Sequence, residues 1–363
     1  MRVMLPITKW LWKDEFWFPP GLTWEDMKET EEIRYPQPRH LLLSIPFTAL
    51  ILILEFVFKR AIALPLSRKM GLKEKVRKKV SPNVVLEAYY KTHHRKKPAE
   101  RELNGLAKQC NMQPRQVERW FRSRLKQDQP TLTEKFCESS WIATCNMISF
   151  VVGLAVLCDK SWFWDVHECW NGYPHQPLLS SVFTYYMLQL SIYCASSITL
   201  GFYVKKDFKE QLVHHAASVI LISYSYCANY LRIGTVIMFI LESSTFFLDL
   251  TKAFNYAKWH RTSEFLFILF SVIFIFVRLV IFPYKVLYNT FYYPIEFYPP
   301  FFGYYFMNAL LMVIQLLSII WSCLIIPMVY KFLKYDTMKN DVRSDSEDSE
   351  KDKEETEQKE AKY

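Results

Sequence analysis

The stretch DFKEQLVHHAASVILISYSYCANY at 207–230 sets two adjacent imidazoles, His214 and His215, in a segment otherwise apolar enough to cross a bilayer. Ionisable groups at membrane depth are costly, so the pair marks a candidate functional site. The competing explanation is that one or both rings only hydrogen-bond to a neighbouring helix. Working outward, apolar runs of about 18 to 25 residues, the length that spans a hydrocarbon core, occur at 40–58, 140–158, 179–203, 211–229, 231–251, 264–283 and 303–330. Seven spans are expected, although the fourth and fifth carry polar residues and can also be drawn as a re-entrant pair. The predicted fold class is an all-α, polytopic membrane bundle. An aromatic content of 17% and the clustering of apolar residues into blocks fit it.

Basic residues orient such a chain. Between Lys59 and Lys126 there are 20 Lys and Arg against five acids, a local excess of fifteen on a chain of net charge +9. That segment is expected in the cytosol. Seven crossings then put the N-terminus in the lumen and the C-terminus in the cytosol, with Lys205, Lys206, Lys209, Lys252, Lys258 and Arg261 all inside. The first span serves as its own signal anchor. Eight scattered cysteines without a CxxC pair indicate neither a disulfide framework nor a zinc site. There is no Asn-x-Ser/Thr sequon, so no N-glycan is expected.

Residues 81–127 have helical apolar spacing with a turn near Asn111 to Pro114, and QVERWFRSRLK resembles the recognition helix of a homeodomain. The fragment looks like the last two helices of that fold, without the basic arm or a complete first helix. Arg119, Trp120, Arg122 and Arg124 are its nucleic-acid-like residues. The position where a homeodomain Asn pairs with adenine is Ser123, too short for that bidentate contact. DNA binding is therefore not expected. Val117, Trp120 and Phe121 are read as a small core, with the basic face solvated or lying on anionic lipid.

This fragment follows the first span, and KFCESSW at 135–141 and a six-span stretch containing DFKEQLVHH come after it. WLWKDEFWFPPGLTW at 10–24, WFWDVHECWNGYPHQPL at 162–178, VRLVIFP at 277–283 and the acidic tail RSDSEDSE at 343–350 complete a set in a distinctive order. Together they resemble the ceramide synthases over essentially the whole chain. YPIEFYPPFFGYYFMN at 293–308 is most similar to the branch using very-long-chain acyl groups. The resemblance implies an endoplasmic-reticulum enzyme that transfers a long or very-long acyl group from acyl-CoA, as co-substrate, to a sphingoid base. It implies no tightly bound cofactor and no metal, and it implies homo- or heterodimers with other ceramide synthases. It also implies domains at 1–39 (lumenal), 40–60 (first span), 67–128 (homeobox-like), 131–332 (catalytic) and 336–363 (tail). The first span is expected to lie outside the chamber formed by the other six.

A sphingoid amine is mostly protonated at neutral pH, so the site needs a base or a nucleophile that accepts the acyl group first; His can be either. Adjacent helical residues point about 100° apart, so one imidazole is expected in the chamber and its neighbour against a supporting helix. In the next span the family carries His-Asp-x-x-Asp, whereas this chain reads Leu241, Glu242, Ser243, Ser244 and Thr245. Glu242 is the remaining carboxylate that can orient an imidazole. Asp249, in the place of a family Glu, is a second candidate. Asp207, Lys252 and Arg278 are the candidate substrate contacts, with Arg232 and Arg278 otherwise read as structural. The tail carries eleven acids and six basic residues from Asp336 to Tyr363 and is expected to be disordered. Ser344, Ser346 and Ser349 within it suit an acid-directed kinase. Besides an active synthase, the residues admit a catalytically weakened paralogue that binds lipid or a partner, and a membrane-tethered nucleic-acid binder.

Overall fold

The computed structural model describes residues 10–31, 33–72, 80–93, 98–200 and 208–335. Lys205, Lys206, Asp207, the three tail serines Ser344, Ser346 and Ser349, and the whole of 336–363 lie outside the described residues. All regular elements among the described residues are helical.

The first long helix begins as α1 (Ser44–Phe58) and passes through a π-helical stretch, Lys59–Ala63. Only Ser44 and Thr48 of α1 are buried, so it presents most of its surface to lipid. The basic insert follows as α2 (Val84–Thr92), α3 (Glu100–Gln109) and α4 (Pro114–Asp128). Asn83 starts α2 by accepting the N–H groups of Val85 and Leu86 at 3.1 and 3.2 Å, which satisfies two of the four donors a helix start leaves over. Asn111 adopts a left-handed φ of 50° between α3 and α4, and Pro114 opens α4 with a φ already suited to a helix. Val117, Trp120 and Phe121 pack with Leu86, Tyr90, Leu106 and Ala107 into a small core. The insert therefore has three helices, not the two expected. The first was hidden because Val84 and Val85 face outward and leave only Leu86 and Tyr90 of α2 buried, too few to mark a period.

The bundle proper consists of α5 (Leu132–Leu157), α6 (Ser180–Leu200), α7 (Phe208–Cys227), α8 (Leu231–Tyr256), α9 (His260–Phe276) and α10 (Phe302–Tyr335). A capping box begins α5: Thr131 Oγ1 accepts the Glu134 N–H at 3.1 Å, and the Glu134 carboxylate accepts the Thr131 N–H at 2.6 Å. Beyond α9 the helix continues through a π-helical stretch, Val277–Leu287, that contains Pro283, and ends with Tyr288–Phe297. A proline inside a helix lacks a donor and displaces the preceding carbonyl, one of the few ways such a run departs from regular α geometry.

Five helices are long and apolar enough to cross a membrane: Pro38–Lys69, Pro114–Leu157, Leu231–Tyr256, His260–Phe297 and Phe302–Lys334. The chain is an all-α, multi-pass membrane protein, and five of the seven expected spans have this character outright. The other two, α6 and α7, are 21 and 20 residues long but carry more polar side chains. Tyr185, Tyr186, Gln189 and Ser191 of α6 and Tyr224, Ser225 and Tyr226 of α7 are buried inside the bundle, where partners and not lipid receive them.

α8 is the central helix, largely buried and packed mainly against α5 and α9. The first span is less peripheral than expected. It packs along α6, Ser191 Oγ donates to the Ser44 carbonyl and Thr48 Oγ1 donates to the Ser191 carbonyl, both at 3.4 Å. The end of the bundle remote from the insert is closed by aromatic loops. Tyr224 donates to the Phe16 carbonyl at 3.0 Å and stacks on Trp17, and Trp170 donates to Asn289 Oδ1 at 2.5 Å. Arg232 holds the loop through the Glu168 and Asn171 carbonyls at 2.8 and 3.1 Å and lies over the Trp162 ring, which makes it structural.

Candidate functional site

A cavity of about 300 Å³ runs into the bundle and draws its walls from every long helix of the bundle, including α1, which lends Ile51 and Glu55. Lys135, Glu138, Gln211, Lys252 and Tyr256 form its polar part toward the insert-bearing end. Ile192, Phe270, Phe274, Trp321 and Ile325 form its apolar part. An apolar pocket with a few convergent polar groups is the usual form of a small-molecule site.

Both imidazoles line this cavity. Their ring centroids are 5.8 Å apart with planes at 87°. The 100° step along α7 separates them as expected. His214 lies beside Trp321 of α10, centroids 5.4 Å apart, and His215 lies toward Tyr193 of α6 at 5.9 Å. Each ring thus has an aromatic neighbour on an adjoining helix while both residues line the cavity.

Glu242 and Asp249 are seven residues apart, two turns of α8, and so share one face of it about 10 Å apart along the axis. Their environments differ. Asp249 uses both oxygens, accepting from Asn146 Nδ2 at 3.2 Å and pairing with Lys252 Nζ at 3.1 Å. Glu242, only 4% exposed, accepts from the Tyr193 hydroxyl at 3.0 Å through Oε1, while Oε2 has no hydrogen-bond partner among the described residues. Glu242 is thus positioned by a tyrosine that also flanks both imidazole rings. Arg278, also 4% exposed, projects from the π-helical stretch into the cavity wall, over the Phe274 ring. Its Nη2 donates to the Leu241 carbonyl at 2.9 Å. The Leu241 side chain is buried in the apolar core, and Thr245 lines the cavity with its hydroxyl bonded back to the Leu241 carbonyl at 3.0 Å.

The structure therefore brings His214, His215, Glu242, Asp249, Lys252 and Arg278 to one cavity, whereas Asp207 is outside the described residues. Tyr193, Asn146 and Trp321 line that cavity too, although nothing in the charge or hydropathy pattern singles out Asn146 or Trp321. For Tyr193 a signal existed: Tyr186, Gln189 and Tyr193 recur at i, i+3 and i+7, a polar stripe on one face of α6.

In the insert, Trp120 and Arg124 serve the fold. Trp120 donates to the Ser81 carbonyl at 2.8 Å. Arg124 grips Glu87 with two donors at 2.9 and 3.0 Å and also pairs with Asp128. The Arg124 hydrogen bonds hold the Glu87 carboxyl below its ordinary range. Arg115, Arg119, Arg122, Ser123 and Lys126 are exposed on α4, with Arg122 paired to Glu118 at 3.2 Å.

Comparison with known proteins divides the chain in the same way. Residues 135–327 match the TLC domain, and 73–127 match the homeodomain. The chain is 43% identical to ceramide synthase 4 of Bos taurus over 94% of this chain and 87% of that protein. It is 44% identical to human ceramide synthase 4, over 95% and 88% respectively. Identity to human ceramide synthase 3 is 42%, over 94% and 88%.

Proposed function

The chain belongs to the ceramide synthase family, and from that premise we propose that it is an acyl-CoA-dependent acyltransferase that N-acylates a sphingoid base with a long or very-long chain. It works in the endoplasmic-reticulum membrane with its N-terminus in the lumen and its C-terminus in the cytosol. The observation that carries this reading is the convergence of two imidazoles, a buried carboxylate and a buried guanidinium on one largely apolar cavity. CoA approaches from the cytosolic side, where Lys135 and Lys252 line the cavity, and the acyl chain lies among the apolar walls.

In the reaction, one imidazole nitrogen of the His214–His215 pair attacks the thioester carbonyl carbon. The tetrahedral adduct collapses with cleavage of C–S, and CoA leaves as the thiolate. The neutral sphingoid amine then attacks the acyl-imidazole, the C–N bond to the ring breaks, and the amide forms. The proton lost by the amine passes to the second imidazole or to Glu242. Splitting one hard acyl transfer into two easier ones is what a nucleophilic side chain contributes.

Leu241 in place of the family His favours a second reading, a weakened paralogue that binds lipid or pairs with an active synthase. One experiment separates the two: dihydroceramide formation by the purified protein, read by mass spectrometry, with sphinganine and a ladder of acyl-CoA lengths. Product that vanishes in the His214→Ala/His215→Ala protein supports the enzyme and gives its chain-length preference. A folded protein that makes none, but gains activity from Leu241→His with Thr245→Asp, supports the weakened paralogue.

A further inference from the structure

Arg278 is the most costly group in the cavity that the two-imidazole mechanism does not use. A guanidinium has five N–H donors and cannot shed its charge. Here one of its nitrogens bonds the Leu241 carbonyl, and Nε and Nη1 have no hydrogen-bond partner among the described residues. No carboxylate lies within ion-pair distance of it among the described residues, and the Phe274 ring lies beneath it at 5.4 Å. Keeping a charged fork this deep in a membrane protein with idle donors is expensive. Glu242, the neighbouring carboxylate, also keeps one oxygen idle. Two buried groups of opposite charge, each with spare capacity and both lining one cavity, define a site that expects two unlike polar atoms.

The chemistry of the transfer supplies such a pair. A thioester carbonyl oxygen is nearly neutral until the carbon is attacked, and then carries a full negative charge. Fixed donors aimed at that oxygen stabilise the transition state more than the substrate. A phosphate of CoA fits less well, because Phe274 lies under Arg278 and the apolar part of the same cavity includes Phe270 and Ile325. The lysines of the cavity, Lys135 and Lys252, lie toward the insert-bearing end instead.

We propose that Arg278 is a catalytic residue whose Nε and Nη1 groups take the acyl carbonyl oxygen as it becomes an oxyanion, and that Glu242 Oε2, positioned by Tyr193, seats the sphingoid amine. This rests on the acyltransferase reading above. Arg278 then acts in both half-reactions, since a tetrahedral oxyanion forms on attack by imidazole and again on attack by the amine. Glu242 acts only in the second.

The test uses the full-length protein in lipid nanodiscs and follows release of the CoA thiol from acyl-CoA, with and without sphinganine. Arg278→Gln is expected to slow thiol release in the first turnover by about 100- to 1,000-fold, the usual effect of losing an oxyanion donor, with little change in the acyl-CoA concentration needed for half-maximal rate. Glu242→Gln is expected to slow the sphinganine-dependent step far more than that first release, so that the ratio of the two rates falls, whereas Arg278→Gln slows both. Parent-like first release in a folded Arg278→Gln protein would overturn the proposal. If that variant does not fold, the His214→Ala/His215→Ala protein loaded with acyl-CoA carrying ¹³C at the carbonyl still decides it. A carbonyl stretch moved to lower frequency, as for a strongly hydrogen-bonded carbonyl, supports Arg278; an unshifted band overturns it. A parent protein that neither releases thiol nor makes product defeats the acyltransferase reading itself, and the infrared band reports on the carbonyl seat independently of that result.

Discussion

The insert and the chamber each contain a half-buried or buried arginine, and the two are used in opposite ways. In the insert, Arg124 spends its donors within the protein, on Glu87 with two bonds and on Asp128 with a third contact, so its charge is already matched when the domain folds. In the chamber, Arg278 makes one bond to a backbone carbonyl, and Glu242 makes one to Tyr193, with the rest of their capacity idle. A matched pair near water adds modestly to stability. Unmatched buried groups cost stability and are retained where a substrate completes them. The insert therefore carries the charge pairing of a small folded domain, and the chamber carries that of a reaction site.

The largest expected effect separates the regions outright. Replacing both His214 and His215 with Ala should lower acyl transfer by about a thousandfold or more, as when groups that act as one unit are removed, with little change in thermal midpoint. A large fall in midpoint would mean the rings are structural. Next in size, Thr245→Asp puts back on the cavity wall a carboxylate the family carries there, and should raise kcat by about a hundredfold if the carboxylate now present is misplaced by about an ångström. No gain would show that Glu242 with Tyr193 already does the work. Arg124→Ala should weaken the insert by about 1 kcal/mol, since the pair is partly solvated. Hydrogen exchange over α2–α4 would rise while acyl transfer changes less than twofold. The smallest effect is in pH. The Arg124 bonds hold Glu87 below its ordinary value of 4.5, so the stabilisation is complete above that value and is lost as the pH falls through the depressed one. Exchange in the insert should rise under that acid shift in the parent and much less in Arg124→Ala.

The same contrast explains what was legible in the residues. Long apolar runs announce themselves because lipid demands an unbroken surface, so α1, α5, α6, α9 and α10 are visible as blocks. The ambiguous pair is α7 and α8, because the protein interior receives polar side chains such as Ser225 and Tyr226 of α7 and Glu242 and Asp249 of α8, which blurs their signature. His214, His215 and Glu242 stood out because charge-bearing groups in apolar sequence are rare. Tyr193 and Trp321 did not, since aromatic residues fill spans throughout this chain and only packing shows which reach the cavity. That both His214 and His215 line it depends on how α6, α7 and α10 pack together, which no single segment of sequence shows. The π-helical stretch bearing Arg278 had only Pro283 to signal it. In the insert, the recognition-like helix was legible from Trp120 and Phe121, and α2 was not, because nine residues with two exposed valines leave almost no period.

The claim that the chamber is a reaction site is tested most directly by mixing the protein with acyl-CoA alone, quenching within one turnover and mapping peptides by mass. The account predicts that the peptide containing His214 and His215 gains the mass of the acyl group, and that adding sphinganine removes it as dihydroceramide appears. Unmodified peptide together with intact acyl-CoA still bound would contradict it, and would leave the cavity as a place where lipid is held and not changed.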